Sequence, residues 1–264
     1  MNLLTLALSR AVPLLLLASA SLVLARLVHD LVSRKSPAMG LAAFAAVLGL
    51  GVAALAPFSL RASCVVRGSA AFEHARWSAA SRAFSDLEAA GGKLGPRLGY
   101  EYGAALMNQR RFAEAERVLL GTVERRPGAR TVAVSPRTVI ALGVCRYHAR
   151  RLDAAEKTFA AVQAPELAYL RSYFLGRIAE LRGDRAAALR GYDAALSGLP
   201  AFLPAAFQLV RLRLAEGDGG GAAAALARVP PRAFERDEGF RALAAHVESR
   251  TAPEAREFFV VFED

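Results

Sequence analysis

Between residues 80 and 226, five pairs of an alanine and a large apolar residue four positions later recur at near-regular spacing. The pairs are Ala80/Phe84, Ala115/Leu119, Ala155/Phe159, Ala188/Tyr192 and Ala222/Leu226. Their alanines stand 35, 40, 33 and 34 residues apart. A separation of four puts both members of a pair on one face of a helix. A recurrence near 34 residues is the mark of a repeat architecture, in which each unit stacks on its neighbours to cover an apolar face it cannot bury alone. The pattern therefore predicts an all-α chain of about five helix-turn-helix units over residues 61–234.

The units carry further matching residues. The fourth, Tyr169 to Phe202, has Leu175-Gly176 in its first helix and Ala179 three positions on. Gly183-Asp184 stands at its turn, and Ala195 and Pro200 close it. The second unit matches through Gly103, Phe112, Ala115, Leu119 and Pro127. The third matches through Leu142-Gly143, Leu152, Ala155 and Phe159, and the fifth through Leu209, Gly217-Asp218, Ala222 and Leu226. The first unit is degenerate: Gly68, Trp77, Ala80 and Phe84 fit, but Gly91-Gly92 replaces the terminal proline. The third has an entry lengthened around residues 130–135. Over residues 61–230 the chain resembles the tetratricopeptide-repeat (TPR) family, with an N-terminal membrane anchor added. The resemblance implies a TPR-like α-solenoid whose concave face, lined by the first helix of each unit, binds other proteins.

That resemblance places Tyr100, Met107, Tyr147, Tyr173, Arg177, Phe207 and Arg211 along the groove. Each aromatic has an equally good reading as packing between helices. The Lys/Asn carboxylate clamp of chaperone-binding family members is not matched at Tyr100, Ala104 and Met107. The groove is expected to be apolar toward its N-terminal end and arginine-bearing toward its C-terminal end, which suits an amphipathic helix or an acidic-hydrophobic segment.

The first 60 residues differ in kind. Their only charges are Arg10, Arg26, Asp30, Arg34 and Lys35, and Ala38 to Leu60 runs 23 residues without one. At about 1.5 Å per residue this run crosses a hydrocarbon core of about 30 Å. Ala11 to Ala25 is a shorter run, reaching spanning length if an arginine at its end snorkels. A transmembrane hairpin is expected over residues 1–60, with spans at 5–28 and 38–60. A cleaved signal peptide at Ala18-Ser19-Ala20 is the alternative; the absence of a basic residue before Arg10 and the span that follows favour retention. Basic residues flanking the spans nearly balance, with a slight bias that keeps the 29–37 connection in the cytoplasm and sets the repeats in the periplasm of a bacterial inner membrane. Residues 235–264 read as a capping helix and an apolar tail, Phe258 to Phe262.

With 31 arginines against 3 lysines the net charge is +10. The arginines are dispersed among acids, so a lipid surface is a better partner than nucleic acid. There is no phosphate-binding loop, no HExxH, no GxSxG and no carboxylate cluster, so the chain is read as no enzyme, with no cofactor, metal or small-molecule substrate. Cys145 and His148 lie on one helical face, but two ligands do not make a metal site. Two functions fit: a membrane-anchored scaffold that recruits or stabilises a multiprotein assembly, or an accessory subunit of a membrane complex held mainly by its hairpin, the repeats acting as spacer.

Overall fold

In a computed structural model of the chain, every regular element among the described residues is helical. The structure describes residues 18–30, 32, 37–123, 134–234 and 238–254. The chain divides into two compact units, Met1–Gln109 and Arg110–Phe262.

The first unit contains α1, described over residues 18–30, then α2 (Pro37–Glu73), α3 (Trp77–Ala89) and α4 (Pro96–Asn108). α2 is one helix of 37 residues, about 55 Å long. It runs straight through residue 60, where the membrane segment was expected to give way to the repeats. The onset of charge at Arg61 marks a change of surface, and no glycine or proline stands between Leu60 and Arg67 to end the helix. Pro57 lies inside it and removes one backbone donor. Ser21 faces Gly51, and the rings of His29 and Phe44 meet edge-on at 6.1 Å. α1 therefore runs antiparallel to α2. Residues 5–17 of the first expected span lie outside the described residues.

The C-terminal half of α2 is also the first helix of a repeat. It forms a hairpin with α3, and a Cβ on Gly68 would fall 2.6 Å from the Phe84 ring. Phe84 is fully buried and tilts against Tyr102 of α4 at 5.8 Å. Ser69 donates to the buried Glu101 carboxylate at 2.6 Å, and Arg97 donates to its other oxygen at 2.7 Å. Cys64 is buried with Val65 and Leu87.

The second unit holds α5 (Phe112–Val123), α6 (Pro136–His148), α7 (Leu152–Ala160), a 3-10 turn (Pro165–Leu167), α8 (Ala168–Leu181), α9 (Arg185–Gly198), α10 (Leu203–Ala215), α11 (Gly219–Ala227), the single turn α12 (Pro231–Phe234) and α13 (Glu238–Ser249). Helices α6 and α7, α8 and α9, and α10 and α11 form successive hairpins. α13 packs on α10 and α11 with Leu243 fully buried, as a helix covering the last hairpin would. The lengthened entry at 130–133, Pro127 and the apolar tail lie outside the described residues.

The hairpins repeat two contacts. A small residue in the first helix meets the large residue sixteen positions later: a Cβ on Gly143 would sit 2.5 Å from the Phe159 ring, and one on Gly176 would sit 3.1 Å from the Tyr192 ring. Phe159 and Tyr192 are fully buried, each side chain contributing about 1.5–3 kcal/mol. A left-handed residue also falls five positions before each repeat alanine: Ala75, Arg110, Arg150, Gly183 and Gly217, with φ of 53°, 60°, 58°, 82° and 77°. This residue turns the chain from one helix into the next. In the last two repeats the following aspartates cap the second helix, Asp184 accepting from the Ala187 N–H at 2.9 Å and Asp218 from the Gly221 N–H at 2.8 Å. Such hairpins are TPR-like in construction.

Candidate protein-binding groove

The expected groove residues fall on α4 in the first unit and on α6, α8 and α10 in the second. Most of them are inside. Tyr100 and Met107 of α4 are 7% and 0% exposed. Tyr147, Tyr173 and Phe207 are 5%, 1% and 5% exposed. Helical periodicity put these side chains on one face, and neighbouring helices then covered most of each ring.

In the second unit the rings form a connected ladder. Tyr147 meets Phe174 edge-on at 5.7 Å, Phe174 stacks on Phe159 at 5.1 Å with planes 5° apart, and Tyr173 meets Phe202 at 5.2 Å and 89°. Edge-to-face rings gain beyond their buried area because positive ring edges meet negative faces. Burial pushes the Tyr173 hydroxyl up to about 12, with Arg177 pulling the other way. Tyr192 is raised further, first by burial and then by its hydrogen bond to Glu180.

The two expected arginines have different fates. Arg211 of α10 pairs with Glu180 of α8 and donates to the Gln208 side-chain oxygen at 2.9 Å. Glu180 also accepts from the Tyr192 hydroxyl. Arg177 pairs with no carboxylate among the described residues. Burial works against its cation, and its interactions with Tyr173, Tyr147 and Tyr192 more than offset that, raising it above the ordinary arginine value. Its Nε is buried without a hydrogen-bond partner, and so is the adjacent Tyr173 hydroxyl. An unmade hydrogen bond at a buried group costs about 1–3 kcal/mol. Asn108, at the end of α4 in the first unit, is the other described side chain with buried atoms left so.

The sequence reading missed how the dispersed arginines are used. Arg146 and Arg151 both reach Glu116, Arg182 reaches Asp153 and Glu156, and Arg228 reaches Asp193. These partners lie 26–35 residues apart. That is about one repeat length, so the pairs tie one hairpin to the next. A search for opposite charges at the repeat spacing finds them.

The Cys145/His148 pair is not brought together. Cys145 is fully buried, with its thiol pushed up to about 12 by burial, while His148 stacks on Phe112 at 4.1 Å. Among the described residues no group of three His, Cys, Asp or Glu side chains is placed to hold a metal ion. The first unit has a groove of about 510 Å³ between α2 and α3, lined by alanines and Val66 with Arg67, Arg76, Arg82 and Asp86.

No known family model matches the chain, and no curated protein matches it significantly. Among solved structures it is similar to one titled "Crystal structure of MamA protein", at 16% identity and a TM-score of 0.48, over 69% of this chain and 94% of that one. The fold assignment rests on the hairpin contacts described above.

Proposed function

We propose that this protein is a membrane-anchored interaction scaffold that recruits or stabilises a multiprotein assembly through the first helices of its repeats. The observation that carries the reading is α2, which joins an apolar, uncovered segment to a repeat helix without a break. It is the one helix among the described residues long and apolar enough to cross a membrane, with an 18-residue stretch of mean hydropathy 2.2, none of it buried. Leu41, Leu50, Val52 and Phe58 of α2 and Leu22, Val23 and Leu27 of α1 are each more than half exposed. Apolar surface on this scale calls for lipid or a partner to cover it. α1, running antiparallel beside α2, supports a two-span hairpin. Arg61 and Arg67 follow Leu60 within about 10 Å along the helix, where headgroups lie.

In the second unit the groove residues are Tyr147, Tyr173, Arg177, Phe207 and Arg211, with the buried rings setting the positions of the arginines; Tyr100 and Met107 are the corresponding residues of the first unit. The repeats are placed in the periplasm of a bacterial inner membrane by the slight charge bias around the spans. A C-terminal reporter active only outside the cytoplasm tests that placement: silence there reverses it.

In-cell cross-linking with identification of partners tests the scaffold. The Tyr173→Ala, Arg177→Ala double variant is expected to lose its cross-linked partners while staying in the membrane fraction. Retention of every partner would refute the groove. One observation favours the accessory-subunit reading: a Cβ on Gly49 of α2 meets nothing within 4 Å, leaving a notch that admits a neighbouring helix. Replacing residues 1–60 by an unrelated anchor separates the two, because a scaffold keeps its partners and a hairpin-held subunit loses them.

A further inference from the structure

Four groups in the second unit converge beside α8. Tyr173, Arg177 and Glu180 occupy one face of that helix at i, i+4 and i+7, and Arg211 reaches them from α10. Their charges do not balance. Glu180 already serves two donors, the Arg211 guanidinium and the Tyr192 hydroxyl. Arg177 is left with tyrosines around it and no acid among the described residues, its Nε buried and unbonded. The Tyr173 hydroxyl, on a residue 1% exposed, is the second donor without an acceptor.

A guanidinium is a planar fork of donors, and it is matched by an acceptor with two oxygens in one plane. Aromatic walls exclude water, which strengthens a charge-assisted bond formed there. A single arginine in such a setting fits a carboxylate, whereas a phosphate draws on a cluster of basic groups. We infer that Arg177 is the receptor for one aspartate or glutamate side chain of a partner protein segment, and that Arg211 is not. This rests on the scaffold reading and deepens it by naming what the groove recognises.

The test is selection of displayed random peptides on the full chain in detergent micelles. Wild type, Arg177→Gln, Arg177→Glu and Arg211→Gln are compared, with circular dichroism checking that each is folded. On wild type, selected peptides are expected to carry one acidic residue between apolar ones. Arg177→Gln is expected to weaken the leading peptide about tenfold to a hundredfold. Replacing that peptide's acid by its amide is expected to cost the same, with no further loss in the combination. On Arg177→Glu the preference is expected to turn to lysine or arginine. Three outcomes overturn the inference while leaving the scaffold standing: selected peptides without an acid, an acid preference that survives Arg177→Gln, or one that is lost only with Arg211→Gln. If no variant enriches any peptide, both the inference and the groove reading fail.

Discussion

Substituting Gly191 by alanine puts a methyl group where two helices already touch. Gly191 is in the interior of α9, facing α8. The added Cβ would lie 2.7 Å from the Gly176 Cα, 2.9 Å from the Gly176 nitrogen and 2.9 Å from the Ser172 carbonyl oxygen. All three are backbone atoms and cannot rotate away. Carbon atoms rest at about 3.5–4.0 Å, so the hairpin must open by about 1 Å. Overpacking of this kind costs about 1–3 kcal/mol. Alanine recovers about 1 kcal/mol through its better helix propensity. Because the obstructing atoms are all backbone, the cost falls in the upper part of that range, about 2–3 kcal/mol, and the net expectation is destabilisation of about 1–2 kcal/mol. Gly121 of α5 is the control, since a Cβ there meets nothing within 4 Å, and Gly121→Ala should stabilise by about 0.5 kcal/mol. Urea titration of the full chain in micelles, followed by far-UV circular dichroism, gives both values. If Gly191→Ala is neutral or moves the midpoint the same way as Gly121→Ala, the α8–α9 approach is not as close as described.

Three further outcomes follow from particular contacts. Arg150→Gly relieves a left-handed residue and should raise the unfolding free energy by about 0.5–1 kcal/mol, while Gly183→Ala should lower it by about 1–2 kcal/mol; equal shifts from both would contradict the turn geometry. Asp184→Ala removes the cap on α9 and should cost about 1 kcal/mol in the same titration, with Asp184→Asn nearly neutral. The fold holds Cys145 and Tyr173 protonated up to about pH 12, against ordinary values of 9.0 and 10.0, so the unfolded chain loses these protons first as pH rises. Stability should therefore be level below pH 9 and fall above it, by about 1 kcal/mol at pH 10 from the thiol alone; Cys145→Ala should flatten that first stretch of the urea-midpoint profile.

The hairpins were legible because small-against-large packing is local and recurs. Gly143 against Phe159 and Gly176 against Tyr192 are fixed by the geometry of two antiparallel helices, whatever surrounds them. Turns were legible at Gly183 and Gly217 and not at Ala75, Arg110 or Arg150, since only glycine advertises a left-handed backbone. Gly191 gave no signal, because its neighbours come from the other helix of the hairpin. The groove aromatics show the limit of periodicity. It tells which way Tyr173 points from α8, and it does not tell that Phe202 and Tyr192 will cover it. Nor could it separate Arg177 from Arg211, whose difference depends on where Glu180 lies.

The unbroken course of α2 bears on how the chain moves. A helix resists bending, and past Pro57, the one proline inside α2 after its first turn, there is no linker or further proline down to Glu73 at which the repeat end could swivel. In the membrane setting proposed above, α2 is then a lever pivoted in lipid. Helices lean about 20° from the bilayer normal and lean further when the bilayer thins. Beyond Leu60 the helix runs about 20 Å, and over that length 20° of lean displaces its far end sideways by about 7 Å. The first hairpin would thus swing with the thickness of the bilayer around it, so that lipid composition sets where its repeat surface is presented.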